Sequence, residues 1–459
     1  MKFASKTRPI KALMTLLAAM TLTTFAQSQS LIRDAEIEEM LSDFSAPIIK
    51  AAGLNPEHVD IFIVNDSSLN AFVTRGQNMF FHTGLINESE TPNQLKGVIA
   101  HEVGHIAGGH IVRSGEATRS AYAAALIAAG IGLAAILAGE GSAGALILAG
   151  APQQFGALQV AAYSRVNEAA ADQYAAKYLE QTHQSSEGLI QFFDKFRYQE
   201  VLSHARRFPY FRGHPLSSDR IDNLREVTRD SPYYGKADDD ESRYRLRMAQ
   251  AKLAGFLGSP QIVFTNYPPE NKSDFALYAR SVAYYRSADL KNALLEVDEL
   301  IERQPENPYF HELKAQILYE SGKGIESLPP SERALELKSD SALLESSLAR
   351  TLTDSKERED VERAVELYKS ALQKEPNNGS AWYGLSLAYA ELNQEAHAKY
   401  ATAERAYHVG NLQQAHSFAK RAQQDLPRQS PQWRRAQDII VITQSELSKS
   451  RGNRRRPRL

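Results

Sequence analysis

Thr91-Pro92-Asn93-Gln94-Leu95-Lys96-Gly97-Val98-Ile99-Ala100-His101-Glu102-Val103-Gly104-His105-Ile106-Ala107-Gly108-Gly109 is the stretch from which the fold reads outward. Its start is marked three ways. Thr91 is a capping residue, Pro92 suits the first helical position, and Gln94 follows the cap by three residues. The helix predicted here runs from about Pro92 to Gly108-Gly109, where paired glycines can break it. Within it, His101 and His105 share a face, so their imidazoles can converge on one point. Glu102 sits beside them.

Upstream, residues 27–60 read as helical, with breaks at Pro47 and Gly53-Leu54-Asn55-Pro56. Ile61-Phe62-Ile63-Val64 is a short apolar strand. Asn70 to Thr74 and Asn78 to Thr83 flank Arg75-Gly76-Gln77, a hairpin signal. A small sheet therefore precedes the histidine helix. Downstream, residues 121–151 are nearly all Ala, Gly, Leu and Ile, interrupted by Gly139-Glu140-Gly141-Ser142. The arms are short and glycine-rich for a membrane hairpin, so the expectation is a helical hairpin packed on the protein or touching lipid peripherally. A long helix follows over about 157–181.

Composition narrows the function classes. The chain has 459 residues, 43% of them hydrophobic and 24% charged, which suits a soluble protein of two or three domains. A net charge of −2 gives no reason to expect nucleic acid as a partner. There is no cysteine. Disulfides, thiolate metal ligands and a cysteine nucleophile are thereby excluded. Lys2, Lys6, Arg8 and Lys11, the apolar run Ala12 to Leu22, and Thr24-Phe25-Ala26 have the layout of a secretory signal. A cysteine-free secreted chain of this kind suits a bacterial periplasm.

His-Glu-x-x-His on a helix is a zinc pattern. Two imidazoles bind the ion, and the glutamate can take a proton from the bound water. A catalytic zinc needs a third protein ligand. The extended motif HExxHxxGxxH fits Gly108 but has Ile111 where the last histidine belongs, and His110 is one residue off, so His110 reads as structural. The other source is Asn167-Glu168-Ala169-Ala170-Ala171-Asp172. Glu168 would ligate the one zinc ion, and Asp172, a turn later, would accept a hydrogen bond from a ligand histidine. His214, held before Pro215 on a loop, has two open readings. It stabilises the oxyanion, or it occupies the fourth zinc position and holds the site latent. Arg165 is a further candidate contact to Glu168 or substrate. An extended peptide could add to a sheet edge near Asn70 to Phe72.

HEVGH with Ser164-Arg165-Val166-Asn167-Glu168 and Ala171-Asp172 resembles the M48 family of gluzincin metallopeptidases. Asn70-Ala71-Phe72, Thr83-Gly84-Leu85 and His214-Pro215-Leu216-Ser217-Ser218-Asp219-Arg220-Ile221 fit the same family, over roughly 35–225. The resemblance implies a zinc-dependent endopeptidase.

From about Ser273 the sequence repeats. Ala293, Leu300 and Pro305 have the same spacing as Ala364, Ala371 and Pro376, and as Ala415, Ala422 and Pro427. Ser327, Ala334 and Ser339 are a weaker copy. Small residues seven apart lie on one helix face, where paired helices approach closely. This resembles tetratricopeptide repeats of period about 34. The interval from Pro376 to Pro427 departs from that period. The expected fold is mainly α: a gluzincin-type α+β metallopeptidase domain with a small β-sheet, then an α-solenoid of tetratricopeptide-like repeats.

The expected division is a signal peptide over 1–26, the peptidase domain over 27–240, a bridging helix and linker over 241–272, repeats over 273–445, and a basic solvated tail over 446–459. An M48 domain joined to such repeats resembles periplasmic proteases that work at the outer membrane. That kinship implies unfolded or misassembled outer-membrane proteins as substrates and their assembly machinery as a partner. The alternative is a chaperone or adaptor in which the repeats do the work and the zinc site is latent.

Overall fold

The computed structural model describes residues 31–110, 164–202, 214 and 218–454. The expected signal peptide and the apolar stretch 121–151 lie outside the described residues. Among the described residues no helix is long and apolar enough to cross a membrane.

Four strands form one sheet in the order β1 (Leu31–Ile32), β2 (Ile61–Val64), β4 (Asn78–His82), β3 (Ala71–Thr74). The expected hairpin is the antiparallel β3–β4 pair, with Phe72 opposite Phe80. The Phe72 and Phe62 rings both stack on Phe80. The parallel pairing of β2 with β4 leaves β3 at one edge and β1 at the other.

Helix α1 (Ala35–Ala51) crosses Pro47 without breaking. Pro47 and Asp43 are exposed, so water can satisfy the Asp43 carbonyl that loses its donor. Phe44, Ile48 and Ile49 hold the helix on the core around it. After α2 (Thr83–Glu88) comes α3 (Pro92–Ala107), the histidine helix. Thr91 caps it as expected, while the Gln94 amide oxygen accepts from the backbone N–H of Glu90, just outside the cap. Helices α4 (164–181) and α5 (Glu187–Leu202) pack on α3, and α6 (Ser218–Thr228) packs on α5.

Helix α7 (Asp240–Leu257) belongs to two cores at once. Leu246, Ala249 and Leu253 join the peptidase core, while Met248 and Ala251 join the core of the repeats. The linker expected after it is tied down. It contains α8 (Pro260–Asn266). The fully buried Arg280 then donates to the carbonyls of Pro268 and Asn271 and forks onto Glu296.

The repeats are ten helices: α9 (Asp274–Arg286), α10 (Leu290–Arg303), α11 (Pro308–Glu320), α12 (Gly324–Leu337), α13 (Ala342–Ser355), α14 (Arg358–Lys374), α15 (Gly379–Glu391), α16 (Glu395–His408), α17 (Leu412–Asp425) and α18 (Pro431–Arg454). Ala293, Leu300, Ser327, Ala334, Ala364, Ala371, Ala415 and Ala422 are all buried, as the seven-residue spacing requires. Three helices, α15 to α17, fill the long interval between Pro376 and Pro427. The basic tail expected from 446 begins instead as the end of α18, where the Lys449–Glu446 pair, three residues apart, suits a helix.

The two halves meet at a buried charge cluster. Lys252 of α7 is 2% exposed, and its Nζ lies 2.7 Å from Asp34 Oδ2, 3.2 Å from Glu36 Oε2 and 3.8 Å from Glu312 Oε2. The Tyr278 hydroxyl donates to Glu36 Oε2 at 2.7 Å. Burial pushes the Glu312 carboxyl up to about 7, with Lys252 opposing, and raises Glu36 as well.

Two tests follow from this cluster. Lys252→Met strands three carboxylates and should cost about 3–5 kcal/mol in urea unfolding, as for a broken buried ion pair. Because the folded chain binds the Glu312 proton better, this group's stabilisation is present below the ordinary 4.5 and is lost as pH rises through about 7. Glu312→Gln should flatten that slope between pH 5 and 8, on the order of the window set by the shift.

Candidate metal centre

The site is assembled by close helix contact. A Cβ on Gly104 would sit 2.9 Å from the Ala171 carbonyl oxygen, and one on Gly97 would sit 2.7 Å from Leu189 Cβ. These two glycines let α4 and α5 lie against α3. His101 and Glu102 are fully buried, and His105, Glu168 and Asp172 nearly so.

The donor atoms converge. His101 Nε2 is 3.1 Å from His105 Nε2 and 3.3 Å from Glu168 Oε2. Glu168 Oε1 is 3.4 Å from His105 Nε2. His214 Nδ1 is 3.2 Å from His101 Nε2 and 3.1 Å from Glu168 Oε2. One donor atom from each of these four residues lies within 4.8 Å of all the others. Four ligands at zinc distances of about 2.0–2.1 Å in a tetrahedron are about 3.3 Å apart. The donor set therefore fits a zinc ion. His214 supplies a fourth protein donor, and its Nε2 lies 3.5 Å from Glu102 Oε1. Neither Glu102 oxygen has a hydrogen-bond partner, an arrangement that is costly unless a ligand or water uses the carboxylate.

Outer partners orient the ligands. His101 Nδ1 lies 3.0 Å from Asp172 Oδ1, the contact expected of Asp172. His105 Nδ1 lies 2.9 Å from His110 Nδ1, so His110 buttresses a ligand ring. Arg220 was not singled out by sequence. Its Nε and Nη2 donate to Asp172 at 2.7 and 2.8 Å, and Nη1 lies 3.1 Å from Glu168 Oε2. Arg165, the other candidate contact to Glu168 or substrate, is exposed near the start of α4.

The electrostatics follow this wiring. Burial lowers His101, yet Asp172 and Glu168 raise it to about 9. Burial with the neighbouring imidazoles holds His105 well below its ordinary value. Burial works to raise Glu168, but His101 and His214 keep it well below the carboxylate range. Burial raises Glu102. A metal and a proton compete for the His101 imidazole, because the ligand form is neutral.

Residues 32–228 match Peptidase family M48, and residues 285–418 match the Psidin N-terminal TPR repeats region. The chain thus carries an M48 metallopeptidase domain followed by a tetratricopeptide array, and M48 metallopeptidases are zinc enzymes. It is similar to the beta-barrel assembly-enhancing protease of Escherichia coli K12, 24% identical over 406 residues that cover 86% of this chain and 80% of that protein. It is also similar to a putative beta-barrel assembly-enhancing protease of Vibrio cholerae, 26% identical over 298 residues, 62% of this chain and 59% of that one. The metalloprotease LoiP of E. coli K12 is 27% identical over 177 residues, 38% of this chain and 64% of LoiP.

Asp172→Asn keeps the shape but weakens the acceptor for His101. Zinc affinity, measured by competition with a chelator, should fall about 10–100-fold. Unchanged affinity would deny Asp172 its orienting role.

Proposed function

We propose that this chain is a zinc endopeptidase of the periplasm that degrades stalled or misassembled outer-membrane proteins, with a resting site closed by His214. The observation that supports it best is the donor cluster itself, with the buried Glu102 carboxylate beside it. His101, His105 and Glu168 hold the metal, which supplies Lewis acidity for water attack near neutral pH and polarises the peptide carbonyl. Glu102 takes the proton of the attacking water and passes it to the leaving amine. Burial suits it to that work, because it raises the carboxyl toward the working pH.

His214 acts before chemistry begins. With Nδ1 among the ligand atoms and Nε2 facing Glu102, it stands where water and substrate must enter. Once displaced, the same imidazole is free to donate to the oxyanion, so the two readings become successive positions of one side chain. The repeats recruit substrate or the assembly machinery. Their match to a repeat region and the similarity to proteases named for β-barrel assembly support this. A chain that mainly chaperones its partners is the second reading, and the four-donor cluster favours it to the extent that the site stays shut.

Two variants separate these readings. Glu102→Gln should bind one zinc yet lose cleavage of an unfolded outer-membrane β-barrel protein by at least about a hundredfold. Persistent cleavage would sink the mechanism. His214→Ala should cut unfolded casein faster if His214 chiefly closes the site, and about a hundredfold more slowly if it chiefly serves the oxyanion.

A further inference from the structure

We infer that the last two helices of the array form a docking surface for a bilayer rich in anionic phospholipid headgroups. The surface is separate from the metal centre, and it rests on the proposed periplasmic setting only for which membrane it meets.

Charge along the array is divided. Helices α9 to α16, residues 274–408, carry sixteen Lys and Arg against twenty-four Asp and Glu. Residues 409–459 carry eleven against three. In the acidic part many cations are spent on neighbours. Arg333 pairs with Glu306 and Glu336, Arg363 with Glu332, and Lys374 with Glu345. Around the joint of α17 and α18 the pattern changes. Lys420, Arg421, Arg428 and Arg434 are exposed, and among the described residues none of the four makes an ion pair. The acids of this region are committed elsewhere or stand alone: Asp425 pairs with Lys399, Glu446 pairs with Lys449, and Asp438 is exposed. Solubility is served by mixed signs, as in the rest of the array. A field of one sign draws in a partner of the other.

The four cations gather at one end of a helix pair. Lys420 and Arg421 lie in the last two turns of α17, Arg428 in the connection, and Arg434 at the start of α18. At about 1.5 Å per helical residue, all stand within about 8 Å of the bend along the helix axes.

Apolar surface continues the same face. Helix α18 packs on α17 and α16, with Ala436, Ile439 and Ile440 buried. Val441 and Ile442 are turned outward, 58% and 40% exposed. They follow Arg434 by seven and eight residues, the spacing of one helix face. The last helix of an array that met only water would carry polar residues there. Cations beside exposed aliphatic groups are the composition of a helix at a bilayer surface. The cations meet headgroup phosphates, and the aliphatic groups enter the acyl boundary. An acidic polypeptide answers the cations alone.

The test floats the full chain, loaded with zinc, with two kinds of vesicle. One holds equal parts phosphatidylglycerol and phosphatidylcholine, the other phosphatidylcholine alone. Binding should need phosphatidylglycerol and weaken as salt rises. Each cation near an anionic surface contributes about fivefold at low salt. Lys420→Gln, Arg421→Gln, Arg428→Gln and Arg434→Gln together should therefore weaken binding at least about fiftyfold, with casein cleavage and thermal unfolding unchanged. Val441→Ser with Ile442→Ser should also weaken it and leave the remainder more sensitive to salt. Equal binding to neutral vesicles would overturn the inference. So would binding that the quadruple variant keeps but that is lost when the five arginines after residue 450 become glutamine. Competition by polyglutamate as effective as by vesicles, with no effect of the Val441 and Ile442 changes, would give the surface to an acidic protein instead. Vesicle binding does not depend on Glu102, so this inference and the peptidase reading fail separately.

Discussion

The contact between α3 and α4 holds everything else in place. Gly104 offers no side chain, so the Ala171 backbone can lie against it. That spacing brings Glu168 within 3.4 Å of both ligand histidines and Asp172 within 3.0 Å of His101 Nδ1. A methyl group at 104 would push the carboxylates outward from the histidines. The same approach explains the alanines around Glu168: Ala171 and Ala175 are wholly buried and leave room for the helices to close.

Placing these charges in a dry interior is expensive, and the site answers with reciprocal pairing. Asp172 takes a fork from Arg220 and faces His101, while Glu168 faces three imidazoles and one guanidinium. Glu102 is the exception. It is buried, its carboxyl is raised, and its oxygens have no hydrogen bond. A buried carboxylate without a hydrogen bond calls for a partner from outside, which fits the proton-accepting role proposed for Glu102.

The helix-borne part of the site was legible in the sequence because helical spacing is a strong signal. His101 with His105 and Glu168 with Asp172 are four apart, and each pair lies on one face. The repeats were legible for a similar reason, since small residues seven apart must be buried to be useful. What escaped is what depends on tertiary return. Arg220 lies in the His214–Ile221 segment that fits the family, but it is 48 residues from Asp172 and its sequence position does not say which carboxylate it meets. The joint at Lys252 was also hidden, because its carboxylates come from residues 34, 36 and 312. The break expected at Pro47 failed because propensity yields where the lost bond faces water and the helix has a core to rest on.

The charge cluster at Lys252 bears on modularity. Repeat arrays are often treated as interchangeable handles that can be grafted from one enzyme to another. In this chain α7 contributes side chains to both cores, and its lysine answers acids from both halves. A chimera cut before α7 would bring Glu312 with its lysine but leave Asp34 and Glu36 facing whatever the new junction supplies. A cut after α7 would open the first repeat instead. Swapping the array therefore means redesigning the seam, and natural exchange of the two parts is constrained to partners that carry matching charge there.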